Sequence, residues 1–252
     1  MARVDYDRMA GDYAAGRALP PAGLEPWRAA IRPWLAEGAA ASPALDLGAG
    51  TGQFAAAIAG WFGLRVVAVE PSAGMRAQAA RIHPHPDVAL VGGRGERLPL
   101  RDGRCGWAWV STVLHHLDDL PATARELRRV LRPGGPVLVR QAFPDRLDAV
   151  TLYRRYFPGA ARIAAGLLPT VGQVAEGFAA AGFRVQARRS VTQVSAPGLA
   201  VFRDKVRRRA DTGLRLLPDA EFAAGLAALE RAAAAETAAT PVTDRLDLLV
   251  LR

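Results

Sequence analysis

Residues 44 to 75, ALDLGAGTGQFAAAIAGWFGLRVVAVEPSAGM, constrain the fold more than any other stretch. Ala44 to Leu47 is a short apolar run entering a turn with glycines at 48, 50 and 52. The alanine-rich Gln53 to Trp61 has helical character, and the β-branched run Arg65 to Val69 delivers Glu70 just past its end. The order is strand, glycine turn, helix, strand and terminal acid. Glycines suit such a turn because a side chain would block close approach of the backbone to a ligand, and the turn needs angles other residues avoid. A carboxylate at Glu70 is placed to accept both hydroxyls of a ribose.

Two details separate this unit from a nicotinamide-binding one. The pattern Gly-x-Gly-x-x-Gly would put its third glycine at 53, where Gln53 stands, whereas here it comes one residue earlier. An acid, Asp46, also stands two residues before the first glycine. A carboxylate there repels a pyrophosphate and suits a ligand carrying an ammonium group.

The chain has 252 residues, enough for one large α/β domain with an ample core. No run of about 18 apolar residues appears, so no membrane span is expected. The amino terminus mixes acids and bases without the apolar stretch of a secretory signal. Cys105 is the single cysteine, which fits a reducing cytoplasm. The formal charge of +9 rests almost wholly on arginine, with Lys205 the one lysine. The basic residues are dispersed as pairs on helical faces, which argues against a nucleic-acid partner. No spacing of His or Cys predicts a metal site, and His83 and His85 fall in a turn around Pro84.

After Glu70 the pattern alternates strand and helix, which predicts a parallel sheet with helices on both faces. Ser72 caps a helix through Ile82, and Val88 to Val91 reads as a third strand. Trp107 to Val110 is the fourth, leading into STVLHHL. Asp118 and Asp119 open a helix ended by Pro133-Gly134-Gly135, before a fifth strand over Pro136 to Arg140. Phe143 to Pro169 reads as an insert bearing arginine and aromatics. A helix over 171–181, a strand over 183–194, helices over 197–209 and 219–236, and a closing strand over 245–251 complete the pass.

The segment 44–75, together with GERLPLRDGRCGWAWVSTVLHHLDDL (95–120) and LRRVLRPGG (127–135), resembles the class I S-adenosylmethionine-dependent methyltransferases, in their small-molecule branch that includes the quinone-biosynthesis enzymes. The matches run from about Tyr6 to Arg140. The resemblance implies a Rossmann-like, mostly parallel seven-stranded sheet with helices on both faces and helical insertions in the carboxyl third. It implies one domain over 1–252, with amino-terminal helices forming a lid over 1–43, a cofactor core over 44–141, and insertions over 142–170 and 196–237 covering the substrate.

It also implies S-adenosyl-L-methionine as cofactor. Asp46, Gly48, Ala49, Gly50 and Gly52 would flank its methionine portion, and Glu70 would take the ribose hydroxyls. Pro71 and Met75 would pack on adenine, Gly95 would offer its N–H to the ring, and Ser111 and Thr112 would line the methionine end. Tyr13 and Arg17, four apart on one helix face, would close over the cofactor. Two departures stand out. Arg94 replaces the acid that usually accepts the adenine amino group, shifting that recognition to Glu96 and backbone groups. Cys105-Gly106 replaces the family's Phe-Asp.

The expected reaction is metal-independent methyl transfer to an oxygen, nitrogen or carbon of a small metabolite, driven by positioning and exclusion of water. His115 and His116 stand where a base could act, with His115 expected to face the pocket and His116 to pack behind it. Tyr153, Arg154 and Tyr156 of the insert would line the acceptor site. No Asn- or Asp-Pro-Pro-Tyr follows the fourth strand, which argues against amino methylation of nucleic-acid bases. Two alternatives remain open on sequence: a methyltransferase-like protein whose cofactor shapes a cyclisation or isomerisation, and a non-catalytic partner subunit. The oligomeric state is not legible.

Overall fold

The computed structural model describes residues 6–35 and 42–252. Two helices, α1 (Tyr6–Arg17) and α2 (Pro21–Ile31), precede an alternating unit. It runs β1 (Ala44–Leu47), α3 (Gln53–Phe62), β2 (Val66–Val69), α4 (Ala73–Ile82), β3 (Val88–Val91), β4 (Trp107–Ser111), α5 (Leu120–Val130) and β5 (Val137–Gln141). The carboxyl third adds α6 (Pro158–Leu167), α7 (Val171–Ala179), β6 (Val185–Ala196), α8 (Leu199–Arg207), α9 (Thr212–Leu216), α10 (Asp219–Ala234) and β7 (Val242–Leu251).

The seven strands form one sheet in the order β3-β2-β1-β4-β5-β7-β6. β7 is antiparallel to both its neighbours, and the other pairs are parallel. The alternation predicted the parallel strands, and the family resemblance implied the mostly parallel seven-stranded sheet found here. The chain winds outward from β1 in one direction through β2 and β3, then restarts at β4 and winds the other way. The crevice at that reversal, outside the carboxyl ends of β1 and β4, is where open α/β sheets collect ligands.

The parallel strands are nearly continuous apolar runs because helices cover both their faces. One face packs Leu45, Val110, Leu127, Val139, Phe178 and Phe183, and the other packs Trp27, Ile58, Val66, Trp109 and Leu138. A third cluster, including Leu152, Phe157, Phe202, Leu214 and Phe222, lies within the carboxyl-terminal insertions. The site therefore sits above the sheet, between the main core and a smaller satellite core.

Two predictions of the element map change. The closing strand begins at Val242, three residues before its expected start. Buried Val242, Asp244 and Leu246 alternate there with exposed Thr243 and Arg245, and that half-buried antiparallel pattern is longer than the apolar run inside it. The short helix α9 was not predicted; Asp211 creates it by accepting from the backbone N–H groups of Gly213 and Leu214.

The expected lid over 1–43 divides in two, and its positions 1–5 and 36–41 lie outside the described residues. Helix α2 is core: Trp27 is fully buried, and a Cβ at Gly23 would lie 2.1 Å from the Val194 carbonyl oxygen of β6. Backbone thus packs directly on backbone. Helix α1 instead runs across the top, where Asp7 accepts from Ser72 Oγ and Gly74 N–H at the start of α4.

Candidate active site

The turn after β1 is built on left-handed backbone. Gly48 has φ +69°, and a Cβ there would lie 2.5 Å from Val113 Cγ2 in the loop after β4. Only glycine serves at that point. The Gly50 N–H donates to Glu70 Oε2 at 3.0 Å, and the Ser72 N–H donates to Glu70 Oε1 at 2.9 Å. Glu70 therefore ties the glycine turn to the start of α4. Burial raises its pKa, against the pull of those two N–H donors.

Asp46 is 2% exposed, and its Oδ2 has no hydrogen-bond partner. Burial, then the nearby charge of Glu70, pushes its pKa up to about 8. Such a carboxyl is costly to keep in place without an opposite charge. A group carrying a positive charge would relieve it.

These residues open onto a cavity of about 210 Å³ that runs from the glycine turn into the carboxyl-terminal insertions. Of the predicted site residues, Tyr13, Arg17, Asp46, Gly48, Ala49, Gly50, Ser111, Thr112, His115, His116 and Tyr153 line it. Thr112, at φ 52°, is strained for a β-branched residue, and its N–H donates to the Arg140 carbonyl at 2.9 Å. Gly52, at φ +78°, completes the turn and caps α3 but does not line the cavity. Glu70, Pro71, Met75, Arg94, Gly95 and Glu96 lie outside the cavity wall, on the β2–β3 side of the turn. Arg94 pairs there with Asp118 at 2.8 Å and Glu96 at 3.5 Å.

Several predicted placements are corrected. His115 and His116 both line the cavity, where adjacency had predicted only one. The 3₁₀ turn Leu114–His116 sets their rings 3.8 Å apart between centroids, so they share one wall. Burial, the charge of His116 and that of Arg17 push the His115 pKa down to about 3, and its Nδ1 is buried without a partner. Arg154 is exposed and Tyr156 is packed against Phe202, so neither reaches the cavity. The π-helical turn Leu152–Tyr156 turns Arg154 and Arg155 outward and buries both tyrosines. Of the two, only Tyr153 faces the cavity, donating its hydroxyl to Asp211 at 2.8 Å. Arg17 pairs with the same Asp211 at 3.2 Å.

The cavity also holds polar residues that the motifs did not single out: Gln53, Arg140, Gln193, Ser195, Lys205 and Asp244. Arg140 had a legible signal, being a lone charge inside the buried strand VLVRQ. The others come from four separate elements, and no local pattern joins them.

A family model described as a methyltransferase domain matches residues 45–139. A demethylmenaquinone methyltransferase of Corynebacterium kroppenstedtii is 31% identical over 171 residues, covering 67% of this chain and 69% of its own length. The chain belongs to the class I S-adenosylmethionine-dependent methyltransferases. A second demethylmenaquinone methyltransferase, from Beutenbergia cavernae, is 39% identical over 97 residues, covering 38% of this methyltransferase-family chain and 39% of its own length. Across four such quinone-biosynthesis relatives this chain spans from 37% to 69% of their lengths. Among solved structures, an Anabaena variabilis protein provisionally designated a methyltransferase from an antibiotic biosynthesis pathway superposes with a TM-score of 0.72. At 22% identity, over 93% of this chain and 99% of that one, it shows the shared methyltransferase fold.

Among the described residues no cluster of three His, Cys, Asp or Glu could hold a metal ion, and no helix is long and apolar enough to cross a membrane.

Proposed function

We propose that this chain transfers the methyl group of S-adenosylmethionine to a small-molecule acceptor, in the cytoplasm and without a metal. The observation that carries the reading is Asp46, a buried carboxyl with an unpartnered oxygen between a glycine turn and the cavity. That is the complement of an amino-acid ammonium. Glu70 would accept the ribose hydroxyls, since a carboxylate keeps lone pairs beyond the two N–H groups it already binds. Met75 and Pro71 would flank adenine, with Gly95 and Glu96 at its edge, while the turn from Gly48 to Gly52 and the wall of Ser111 and Thr112 would hold the methionine portion. Tyr13 and Arg17 would cover it from α1.

When bound, the cofactor supplies an electrophilic sulfonium methyl. The chain's own work is positional. Val150, Leu152, Leu167, Leu168 and Phe202 line the cavity and exclude water from the acceptor. His115, held neutral by burial, would accept a hydrogen bond from the attacking hydroxyl or amine and so orient it.

Calorimetric titration with S-adenosylmethionine and with NAD tests the cofactor reading. S-adenosylmethionine is expected to bind, and preferential binding of NAD would overturn the proposal. Release of S-adenosylhomocysteine in step with acceptor consumption, followed by mass spectrometry, separates transfer from a rearrangement that leaves the cofactor intact.

A further inference from the structure

Among the described residues Arg140 is the one cationic side chain buried within the sheet itself. It is 5% exposed and donates to Ser111 Oγ at 3.1 Å and Gln193 Oε1 at 2.6 Å, both neutral acceptors. Its Nε is buried without a partner, and among the described residues no carboxylate lies within ion-pair distance of it. The guanidinium also sits 5.0 Å from the Trp27 ring centroid and 5.2 Å from that of Phe54. Trp27 Nε1 donates to the same Gln193 Oε1 at 2.9 Å, which fixes the amide and leaves its nitrogen to serve as a donor. A buried guanidinium without a carboxylate in contact is expensive, and burial lowers the Arg140 pKa to about 9 against the more distant charge of Asp244, so it remains charged at neutral pH.

Lys205 repeats the pattern from α8. Its Nζ donates to two main-chain carbonyls, Ala18 at 2.7 Å and Ser195 at 2.5 Å, and meets no carboxylate within ion-pair distance among the described residues. Both residues line the cavity.

The charge balance identifies the missing partner. Arg17, Arg140 and Lys205 line the cavity opposite Asp46, Asp211 and Asp244. Asp211 is engaged by Arg17, and Asp244 accepts from the Thr151 N–H at 2.8 Å and from the Ser195 hydroxyl. On the cofactor reading above, Asp46 is committed to the ammonium, and the cofactor brings one net positive charge. The filled cavity then lacks one negative charge.

We infer that the acceptor carries a carboxylate, docked on Arg140 with Gln193 and Lys205 beside it, and an apolar body against the insertion. Position favours the acceptor over the cofactor's own carboxylate. Arg140 is on β5, separated from Asp46 on β1 by the whole of β4, about 10 Å at ordinary strand spacing.

The test is titration of the chain, alone and with S-adenosylhomocysteine, by matched pairs: benzoate against benzamide, and octanoate against octanamide. The acids are expected to bind at least about tenfold more tightly than the amides. R140Q should erase that preference while leaving the dissociation constant for S-adenosylmethionine within about twofold. Gln193→Glu, which supplies Arg140 with a carboxylate in place, should erase it too, and covers the case in which R140Q does not fold. Equal binding of acids and amides by the unmodified chain overturns the inference. So does a tenfold loss of S-adenosylmethionine in R140Q, which would assign Arg140 to the cofactor. Failure of the cofactor reading shows separately, as no binding of S-adenosylmethionine to the unmodified chain.

Discussion

The two halves of the cavity are built in different ways. On the β1–β2 side the work is done by backbone: a left-handed turn, N–H groups aimed at Glu70, and two acids at fixed offsets within 25 residues of sequence. On the β5–β6 side it is done by side chains from distant segments, with Arg140, Gln193, Lys205 and Asp244 converging from a strand, an edge strand, a helix and the closing strand. Backbone geometry dictates residue type closely, so the first half tolerates little change. A side-chain constellation can be re-lettered while its scaffold stands, so the second half is where one cofactor platform can be turned to different acceptors.

The contrast puts the largest expected effect at the glycine turn. Gly48→Ala must hold a Cβ at positive φ, costing about 1–2 kcal/mol, and must displace Val113, costing about 1–3 kcal/mol more. Urea unfolding should show a stability loss of about 2–5 kcal/mol together with loss of cofactor binding. A loss below about 1 kcal/mol would mean the turn is as adaptable as the opposite wall.

Next in size is the pH dependence of cofactor affinity. Asp46 has its pKa pushed up to about 8 and must release its proton to pair with an ammonium. Affinity should therefore rise from pH 5.5 to 7.5, approaching about tenfold per unit. Asp46→Asn should bind more weakly at the upper end and show a flattened profile. If the variant keeps the slope, the titrating group lies elsewhere, with Glu70 the first candidate because its pKa is also raised by burial.

What the sequence made legible follows the same division. The sheet, the glycine turn, Asp46 and Glu70 rest on spacing within one βαβ unit, which is local information. The acceptor wall does not, because Gln193 and Lys205 acquire meaning only once β6 and α8 are brought beside β5. Arg154 was misplaced because Tyr153 and Tyr156, three apart, share the buried face of their turn, and Arg154 between them is carried outward. His115 was expected near an ordinary imidazole pKa, and burial beside His116 and Arg17 removes that basicity.

His115 sits where the two halves meet. On the proposed reading it would align the nucleophile as a neutral hydrogen-bond acceptor, without storing a proton. His115→Ala should lower turnover by about tenfold, below the roughly 10²–10⁴-fold typical of a positioned general acid or base. Turnover of the unmodified chain should show no titration assignable to this residue between pH 6 and 9. A break near pH 6.5 that disappears in the variant would restore it as a general base.

The smallest effect is expected at Arg94, where the family's acid is missing. Its side chain is 45% exposed and already spans Asp118 and Glu96, and exposed pairs of this kind contribute about 0–1 kcal/mol. Arg94→Asp would set three carboxylates together, but in water their repulsion is screened. If the adenine end is read by backbone, as the rest of that half is, the dissociation constant for S-adenosylmethionine should move less than about threefold in either direction. A tenfold gain would show that the acid acceptor still matters here and was lost at a cost. A tenfold loss would show that the guanidinium itself contacts adenine, and the adenine end would then be read by a side chain rather than by backbone.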